Sequence, residues 1–240
     1  MSLPKIEHPI FKIKIPSTKK EVSFRPFLVK EEKILLIAKS SEQENDILLA
    51  IKQVVNNCCL EELDIDKLSL FDVEYLFLKI RAQSVNNIVS VTYRDNEDNT
   101  DYDFDIDLNN VTVVFPLNQE KIIKLTETSG IVMKYPEASL YEDKEFLNSG
   151  EEAFYQLVLR CIEKFYDADN VYETKNYTMQ EISDYIDNLD VKTFDKVREF
   201  IVDQPKLNYT IDYKNKLGNI RKIELTSLTD FFTLRWITIR

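Results

Sequence analysis

The residues of this chain that could do chemistry are mostly acids, and one run of them is regularly spaced. Aspartates occupy every second position from Asp101 to Asp107, with apolar residues such as Phe104 between them. The last three acids match the start of a calcium-binding loop, but Leu108 stands where that loop requires glycine. Acids that alternate with apolar residues are typical of a strand with one buried face. We therefore interpret the run as a solvated or partner-facing edge, with a metal-dependent enzyme that uses these acids as the alternative.

The side chains that nucleophilic catalysis and zinc binding usually require are scarce. The sequence has one histidine, His8, and three cysteines, Cys58, Cys59 and Cys161. Their spacing gives no zinc-ligand pattern, and the sole histidine base for a serine or cysteine nucleophile lies near the start of the sequence. The cysteines are expected to be reduced and to pack like small hydrophobic residues. We predict no catalytic residue, no metal site and no cofactor, and we predict that the protein is not an enzyme.

Composition excludes several other classes of function. The 240 residues include 42 acids and 31 basic residues, which gives a net charge of -11. This charge argues against a protein that binds nucleic acid by neutralising phosphates, and it is unfavourable for anionic membranes. The three glycines stand far apart, so a glycine-rich phosphate loop is excluded. No stretch approaches the roughly 20 apolar residues of a membrane-spanning helix, so no membrane segment is expected.

The most apolar part of the chain is the stretch Leu68–Asn87. Between Leu70 and Ile80 it is apolar over most of a helical circumference, which is typical of a buried helix. Ser69 followed by Asp72 is a helix-capping pattern, so we expect the helix to begin there. Other elements must cover this helix, and the rest of the chain is interpreted as its cover.

A hairpin and two helices are expected before this segment. Alternation over residues 10–24 predicts the hairpin. Glu31 and Glu32 lie in the first turn of the helix that follows, where the helix dipole favours acids. The apolar residues of that helix recur at helical spacing, and we expect one stripe of them: Val29, Leu35, Leu36 and Ile37.

Beyond residue 88 the apolar period changes from that of a helix to that of a strand. The alternation predicts hairpins as far as Tyr135. Helices are then expected, one with an apolar stripe from Phe154 to Phe165 and one that begins at a capping box of Thr178 and Glu181. A last hairpin turns at Gly218.

The predicted fold class is α+β. It has an N-terminal helical unit, central β-hairpins, and C-terminal helices with a terminal β-hairpin. The loop around residue 140 is the weakest seam in this pattern. We therefore expect two domains, an N-terminal helical plus β-hairpin domain over residues 1–140 and a C-terminal α+β domain over residues 141–240.

A few residues are candidates for contact with a partner. Two single arginines lie in strongly apolar surroundings, where a guanidinium either forms a structural ion pair or bridges to another protein. The aromatic residues near the C-terminus are either core or interface. The predicted partner-binding residues are Arg25, Phe27, Arg81, Phe231, Phe232 and Trp236.

Two segments resemble the baseplate hub assembly family of T-even-like contractile-tailed phages. The first runs from Phe24 to Leu36 and contains Phe-Arg-Pro-Phe followed by Val-Lys-Glu-Glu-Lys-Ile-Leu-Leu. The second runs from Phe71 to Val85 and contains Phe-Asp-Val-Glu-Tyr and Lys-Ile-Arg-Ala-Gln-Ser-Val. The order and separation of these segments, and the β segment after them, also look like that family. The match covers the N-terminal half well and the C-terminal half loosely.

This resemblance implies a structural component or assembly factor of the baseplate hub of a contractile tail, acting through protein–protein contacts. It implies other baseplate hub and wedge proteins and the tape-measure protein as partners, with several copies in a symmetric assembly. The expected location is the tail baseplate of the virion, after assembly in the host cytoplasm. The alternative is a transient chaperone for tail proteins that is absent from the virion.

Overall fold

The computed structural model describes residues 6–41, 44–117 and 119–231. Contacts between residues divide the chain into two compact units. Unit 1 combines Met1–Val114 with Lys206–Arg240, and unit 2 is Phe115–Pro205. The described residues form helices and small antiparallel sheets, which confirms the predicted α+β class. No helix within the described ranges is long and apolar enough to cross a bilayer.

Unit 1 begins with a hairpin and a group of helices. Strand β1 (Phe11–Lys14) pairs antiparallel with β2 (Glu21–Phe24). Helices α1 (Val29–Ser40), α2 (Glu44–Cys58) and α3 (Leu70–Ser84) follow. Because α1 packs on α2 and α2 packs on α3, the three form the N-terminal helical unit that the sequence predicts.

Helix α3 is the buried helix that its composition predicts. Val73, Leu76 and Ile80 are fully buried in the core of unit 1. Ser69 is the N-cap residue of α3, so the predicted start of the helix is confirmed, but the Ser69 hydroxyl makes no capping hydrogen bond. The Asp72 carboxylate instead accepts a hydrogen bond from the backbone amide of Ser17, at 2.9 Å. Asp72 thereby attaches the turn between β1 and β2 to the start of α3.

The helices are followed by a ribbon of two long strands. Strand β3 (Ile88–Asp95) pairs antiparallel with β4 (Thr100–Asp107) along their whole length. Val89 stands opposite Ile106 in this register, and both side chains are buried. The acids of β4 lie on the opposite face, as the alternation predicts. A short strand, β5 (Thr112–Val114), completes this part of the chain.

Unit 2 contains a four-stranded antiparallel sheet and a set of helices. The sheet has the order β6, β7, β8, β9, so β6 and β9 are its edges. Helix α5 packs on α6 and α7. The elements in chain order are β6 (Ile122–Lys124), β7 (Gly130–Met133), α4 (Lys144–Leu147), α5 (Ala153–Arg160), β8 (Ile162–Tyr166), β9 (Val171–Glu173), α6 (Met179–Asp187) and α7 (Val191–Val202).

The helix predicted from Phe154 to Phe165 is wrong in its second half. Helix α5 ends at Arg160, and β8 begins at Ile162. Phe165 then pairs with a residue of β7 on one side and of β9 on the other. A short apolar run fits either period, and pairing with two neighbouring strands decides in favour of a strand. The capping box of Thr178 and Glu181 is confirmed at the start of α6.

The chain returns to unit 1 with the predicted terminal hairpin. Strand β10 (Lys206–Lys214) pairs antiparallel with β11 (Ile220–Leu225), and a short helix, α8 (Leu228–Phe231), follows. On its other side β10 pairs with β5, and Lys206 stands directly opposite Val114. The chain therefore leaves unit 1 after Val114 of β5 and re-enters it at Lys206 of β10, and these two residues are paired in adjacent strands.

This arrangement makes unit 2 an insertion between β5 and β10. The compact units part at Val114 and at Lys206. The sequence-based boundary near residue 140 falls inside unit 2 instead, because periodicity does not reveal that β5 pairs with a strand so much later in the chain. The division into two domains that fold separately stays a prediction, and the paired ends of unit 2 suggest where to test it.

Replacing Phe115–Pro205 with a two-residue Asn-Gly turn should leave unit 1 folded. The turn closes an antiparallel pair at the register that β5 and β10 already have. We expect a cooperative unfolding transition in urea and a circular dichroism spectrum that retains helical and strand signals. A fragment of residues 1–140 is the control, since it lacks β10 and should not unfold cooperatively. The insertion is contradicted if the excised chain, like this fragment, loses its transition.

Candidate functional site

The first part of the candidate site is a buried ion pair between Arg25 and Glu31. Both nitrogens of the guanidinium fork donate to the carboxylate, Nη2 to Oε1 at 3.0 Å and Nη1 to Oε2 at 3.2 Å. The Glu31 side chain is fully buried, and that of Arg25 is 13% exposed. Arg25 also donates to the carbonyl oxygens of Pro26 and Asn57. The pair thus joins the link after β2 to the first turn of α1 and the last turn of α2.

Electrostatics keep this pair ionised. Burial would raise the pKa of the Glu31 carboxyl, but hydrogen bonds from Arg25 and from the Leu28 amide hold it below its usual value. The same contact with Glu31 raises the pKa of Arg25. Nearby Cys58 is a buried thiol whose pKa burial raises to about 12, so it is not a reactive thiolate.

The structure brings together the two segments that carry the family resemblance. The backbone amide of Phe27 donates to Ser84 Oγ at 2.8 Å, at the C-terminal end of α3. The Phe27 ring also lies 5.7 Å from the ring of Phe77, centroid to centroid. Phe27 is half-buried in this position. The predicted partner residue Phe27 therefore belongs to the contact between the two segments, and a partner role for it stays a prediction.

Arg81 differs from Arg25 in its surroundings. Its guanidinium is half-buried and donates one hydrogen bond, from Nη1 to the Asn86 carbonyl oxygen at 3.2 Å. Among the described residues no carboxylate forms an ion pair with it. Burial without a carboxylate lowers the pKa of Arg81. Of the two predicted arginines, Arg81 is the one without a carboxylate partner in the part of the chain that the structure describes.

The aromatic candidates near the C-terminus fall partly outside the structure. Phe232 and Trp236 lie beyond the described residues. Phe231 is fully buried in α8, so its ring is a core side chain of unit 1. The amide of Leu228 donates to Glu74 Oε1 at 3.3 Å, which attaches the start of α8 to α3. Burial, with a smaller contribution from the negative charge of Asp230, raises the pKa of Glu74 to about 7.

The regularly spaced acids of β4 are used within their own ribbon. Asp103 accepts a hydrogen bond from Thr92 Oγ1 at 2.7 Å, and Asp105 accepts one from Ser90 Oγ at 2.6 Å. Arg94 pairs with Asp101 at 3.4 Å across the same two strands. Nowhere in the described ranges do three or more histidine, cysteine or acidic side chains form a group that could hold a metal ion. These cross-strand contacts give the acids a structural use.

Two contacts of unit 1 were not foreseen from the sequence. Lys79 of α3 donates to the carbonyl oxygens of Leu108, Asn109 and Val111, at 2.7–3.0 Å, and burial lowers its pKa to about 8. A single lysine in an apolar helix is the only signal for such a contact, and it does not identify the acceptors.

The second unforeseen contact joins the end of β3 and the turn after it to the hairpin of β10 and β11. The Tyr213 hydroxyl donates to Asp95 Oδ2 at 2.7 Å, and burial together with this acceptor raises the pKa of Tyr213 to about 12. Its ring lies 5.0 Å from that of Tyr102. Further polar contacts across the two turns involve Glu97, Asp98, Asn215, Lys216, Asn219 and Arg221.

Unit 2 offers an open groove of about 900 Å³ between the β6 edge and α7. Exposed apolar side chains line part of it, including Leu117, Ile122 and Val202. The charges around it are of both signs, so they select no particular occupant. They belong to Glu120, Lys124, Lys196, Arg198, Glu199 and Asp203.

Removal of Arg25 should destabilise the protein strongly. In Arg25→Ala the Glu31 carboxylate stays buried without its partner, which typically costs about 3–5 kcal/mol. Replacing both residues with apolar ones, as in R25M/E31L, should recover most of this loss. Urea unfolding at pH 7 measures both variants.

The control for this prediction is Arg94→Ala, which breaks an exposed pair worth about 1 kcal/mol or less. If Arg25→Ala is no less stable than Arg94→Ala, the buried pair does not hold the first helix in place.

Glu74 should make stability depend on pH. Its pKa is about 7 in the folded protein, above the usual value of 4.5, so the folded state binds more protons between these values. The stability that the protonated form provides is complete below about pH 4.5 and is lost as pH rises through 7. Glu74→Gln keeps an acceptor for the Leu228 amide and cannot ionise. We expect it to be more stable than the native chain by about 2–3 kcal/mol at pH 8 and nearly equal at pH 4.5.

Urea unfolding at the two pH values tests this, with the exposed Glu62→Gln as the control that should follow the native chain at both. Parallel pH profiles for the native chain and Glu74→Gln would show that Glu74 does not titrate in this range.

The family model described as T4 bacteriophage base plate protein matches residues 8–233, nearly the whole chain. No curated protein and no solved structure matches it. The family match includes both units and both segments that carry the resemblance, and it implies a structural role in the tail of the virion, among other baseplate components. This chain therefore belongs to the T4 bacteriophage base plate protein family.

Proposed function

We propose that this protein is a structural component of the baseplate hub of a contractile tail and acts through protein–protein contacts. The observation that carries the proposal is the family match over residues 8–233, which spans both units. Proposed partners are other hub and wedge proteins and the tape-measure protein, in several copies arranged with the symmetry of the tail. The protein would be made and assembled in the host cytoplasm and would stay in the mature tail.

The described side chains support a role without catalysis. The acids of β4 are engaged in cross-strand contacts, and the buried thiols Cys58 and Cys161 both have a raised pKa, to about 12. The buried ion pair of Arg25 and Glu31 joins one part of unit 1 to another. Such contacts stiffen a scaffold, which is what a protein that works through its surfaces requires.

Mass spectrometry of purified tails, followed by cryo-EM of the intact baseplate, tests the proposal. We expect the chain in tails at a fixed ratio to other baseplate proteins, with density at the hub. Its absence from tails, together with failed assembly when the gene is removed, would favour the transient chaperone instead.

Arg81 is the proposed partner-binding residue that can be tested most cleanly. Arg81→Ala loses one hydrogen bond to Asn86, so its unfolding free energy should change by about 1 kcal/mol or less. Incorporation into tails should nevertheless fall, because a partner carboxylate would lose its guanidinium. Arg198→Ala, at an exposed arginine paired within its own helix, is the control.

Quantitative mass spectrometry of tails made with each variant gives the result. Normal incorporation of a folded Arg81→Ala protein removes Arg81 from the interface.

A further inference from the structure

Helix α1 has apolar residues on two faces, and the described residues of the chain cover only one of these faces. Leu35 and Ala38 are buried on the inner face, where α1 packs on α2. Val29, Leu36 and Ile37 are 67%, 37% and 70% exposed. The spacing of these three residues places them together, since positions seven and eight apart lie on one side of a helix. The predicted single stripe of Val29, Leu35, Leu36 and Ile37 is therefore divided between two opposite faces.

The outer face has a cationic centre. Lys33 lies four residues after Val29 and four before Ile37, so it stands between them on the helix surface. Lys33 is exposed, and the structure gives it no ion pair with any described residue. Lys30, also exposed, lies 3.6 Å from Glu31, which is buried and already paired with Arg25. Glu32, the remaining acid of this turn, is half-buried.

This surface differs from the scattered exposed hydrophobic residues that any protein has. A single exposed leucine is ordinary, but a group of large apolar side chains on one rigid element marks an interaction site. Interfaces combine an apolar centre with charges that select the partner. Here the selecting charge is positive, although the whole chain carries a net charge of -11.

We propose that the outer face of α1, defined by Val29, Lys33, Leu36 and Ile37, docks onto an apolar surface of a different baseplate protein that presents a carboxylate to Lys33. The inference rests on the proposed function, since it requires an assembled baseplate. Charge complementarity identifies the occupant: three apolar side chains need an apolar surface, and the ammonium between them needs an acid there.

A second copy of this chain fits the surface less well. In a two-fold contact the same patch meets itself, which would bring one Lys33 close to the other. Each copy also carries a net charge of -11, and this adds a general repulsion. A different protein with an acid at the matching position has neither disadvantage.

Carbodiimide cross-linking of purified tails tests the chemistry directly. The reagent activates a carboxyl group, and an amine in contact with it displaces the reagent to form an amide bond. We expect Lys33 to be joined to an aspartate or glutamate of another baseplate protein, identified by mass spectrometry of the cross-linked peptide. Tails made with Lys33→Arg keep the charge and should lose this cross-link. Coupling of Lys33 to a second copy of this chain, or no coupling at all, would overturn the proposal.

Substitutions on the face test its importance for assembly. Ile37→Asp and Lys33→Glu should reduce incorporation into tails at least tenfold while leaving the unfolding midpoint of the purified protein unchanged. The matched controls are Val191→Asp and Lys192→Glu in α7, where Val191 is 76% exposed. The controls should be incorporated as the native chain is.

The outcomes separate this inference from the proposed function. If the native chain is present in tails and the α1 variants are incorporated equally well, the docking surface is wrong and the baseplate role stands. If the native chain itself is absent from tails, both are wrong.

Discussion

The ion pair between Arg25 and Glu31 decides how the first helix lies in unit 1. A buried carboxylate is tolerated only with a partner, and Arg25 supplies one from the link that precedes the helix. With Glu31 turned inward, residues four and seven positions later, Leu35 and Ala38, are turned inward as well. Val29 and Ile37 are left on the other side. The exposed apolar surface of α1 is thus a consequence of where one acid is buried.

Unit 1 is closed by contacts between residues far apart in sequence. β10 pairs with β5, although unit 2 lies between them in the sequence, and Tyr213 of β10 donates to Asp95 at the end of β3. The closure entropy of a long loop grows only slowly with its length, so the insertion of unit 2 is thermodynamically tolerable. Paired ends hold the insertion without disturbing the register on either side. The sheet of β5, β10 and β11 in unit 1 is therefore built from residues that come before unit 2 in the sequence and residues that come after it.

The local sequence pattern was enough to predict the elements that are defined by one buried face, by one apolar period or by a capping motif. The buried helix α3, the ribbon of β3 and β4 and the capping box at Thr178 belong to this class. Prediction failed where a distant partner decides the outcome. Pairing with β7 and β9 makes Ile162–Tyr166 a strand. The Asp72 carboxylate, which was expected to complete the cap of α3, instead accepts a hydrogen bond from the backbone amide of Ser17.

The candidate site shows the same division between local and distant information. Its residue types could be predicted, because single arginines in apolar segments stand out in a sequence. Their roles could not be, because the environment that separates Arg25 from Arg81 is made by Glu31 and Asn57 on other elements. The orientation of α1 could not be predicted for the same reason. The sequence shows which residues of the helix are apolar, but it does not show which of them lie on the same face as the buried Glu31.

A docking surface on α1 suits a structural protein because the helix is held firmly before any partner arrives. Its first turn is fixed by Glu31, its inner face by α2, and the preceding link by the hydrogen bond from Phe27 to Ser84. Binding to a surface that is already ordered avoids the entropy of ordering it, so more of the contact energy is available for association. Because α1 is held rigidly in unit 1, a partner bound to α1 also has a fixed orientation relative to α3. In a baseplate, where neighbouring proteins must be set at defined angles, a rigid helix is a better attachment point than a mobile loop.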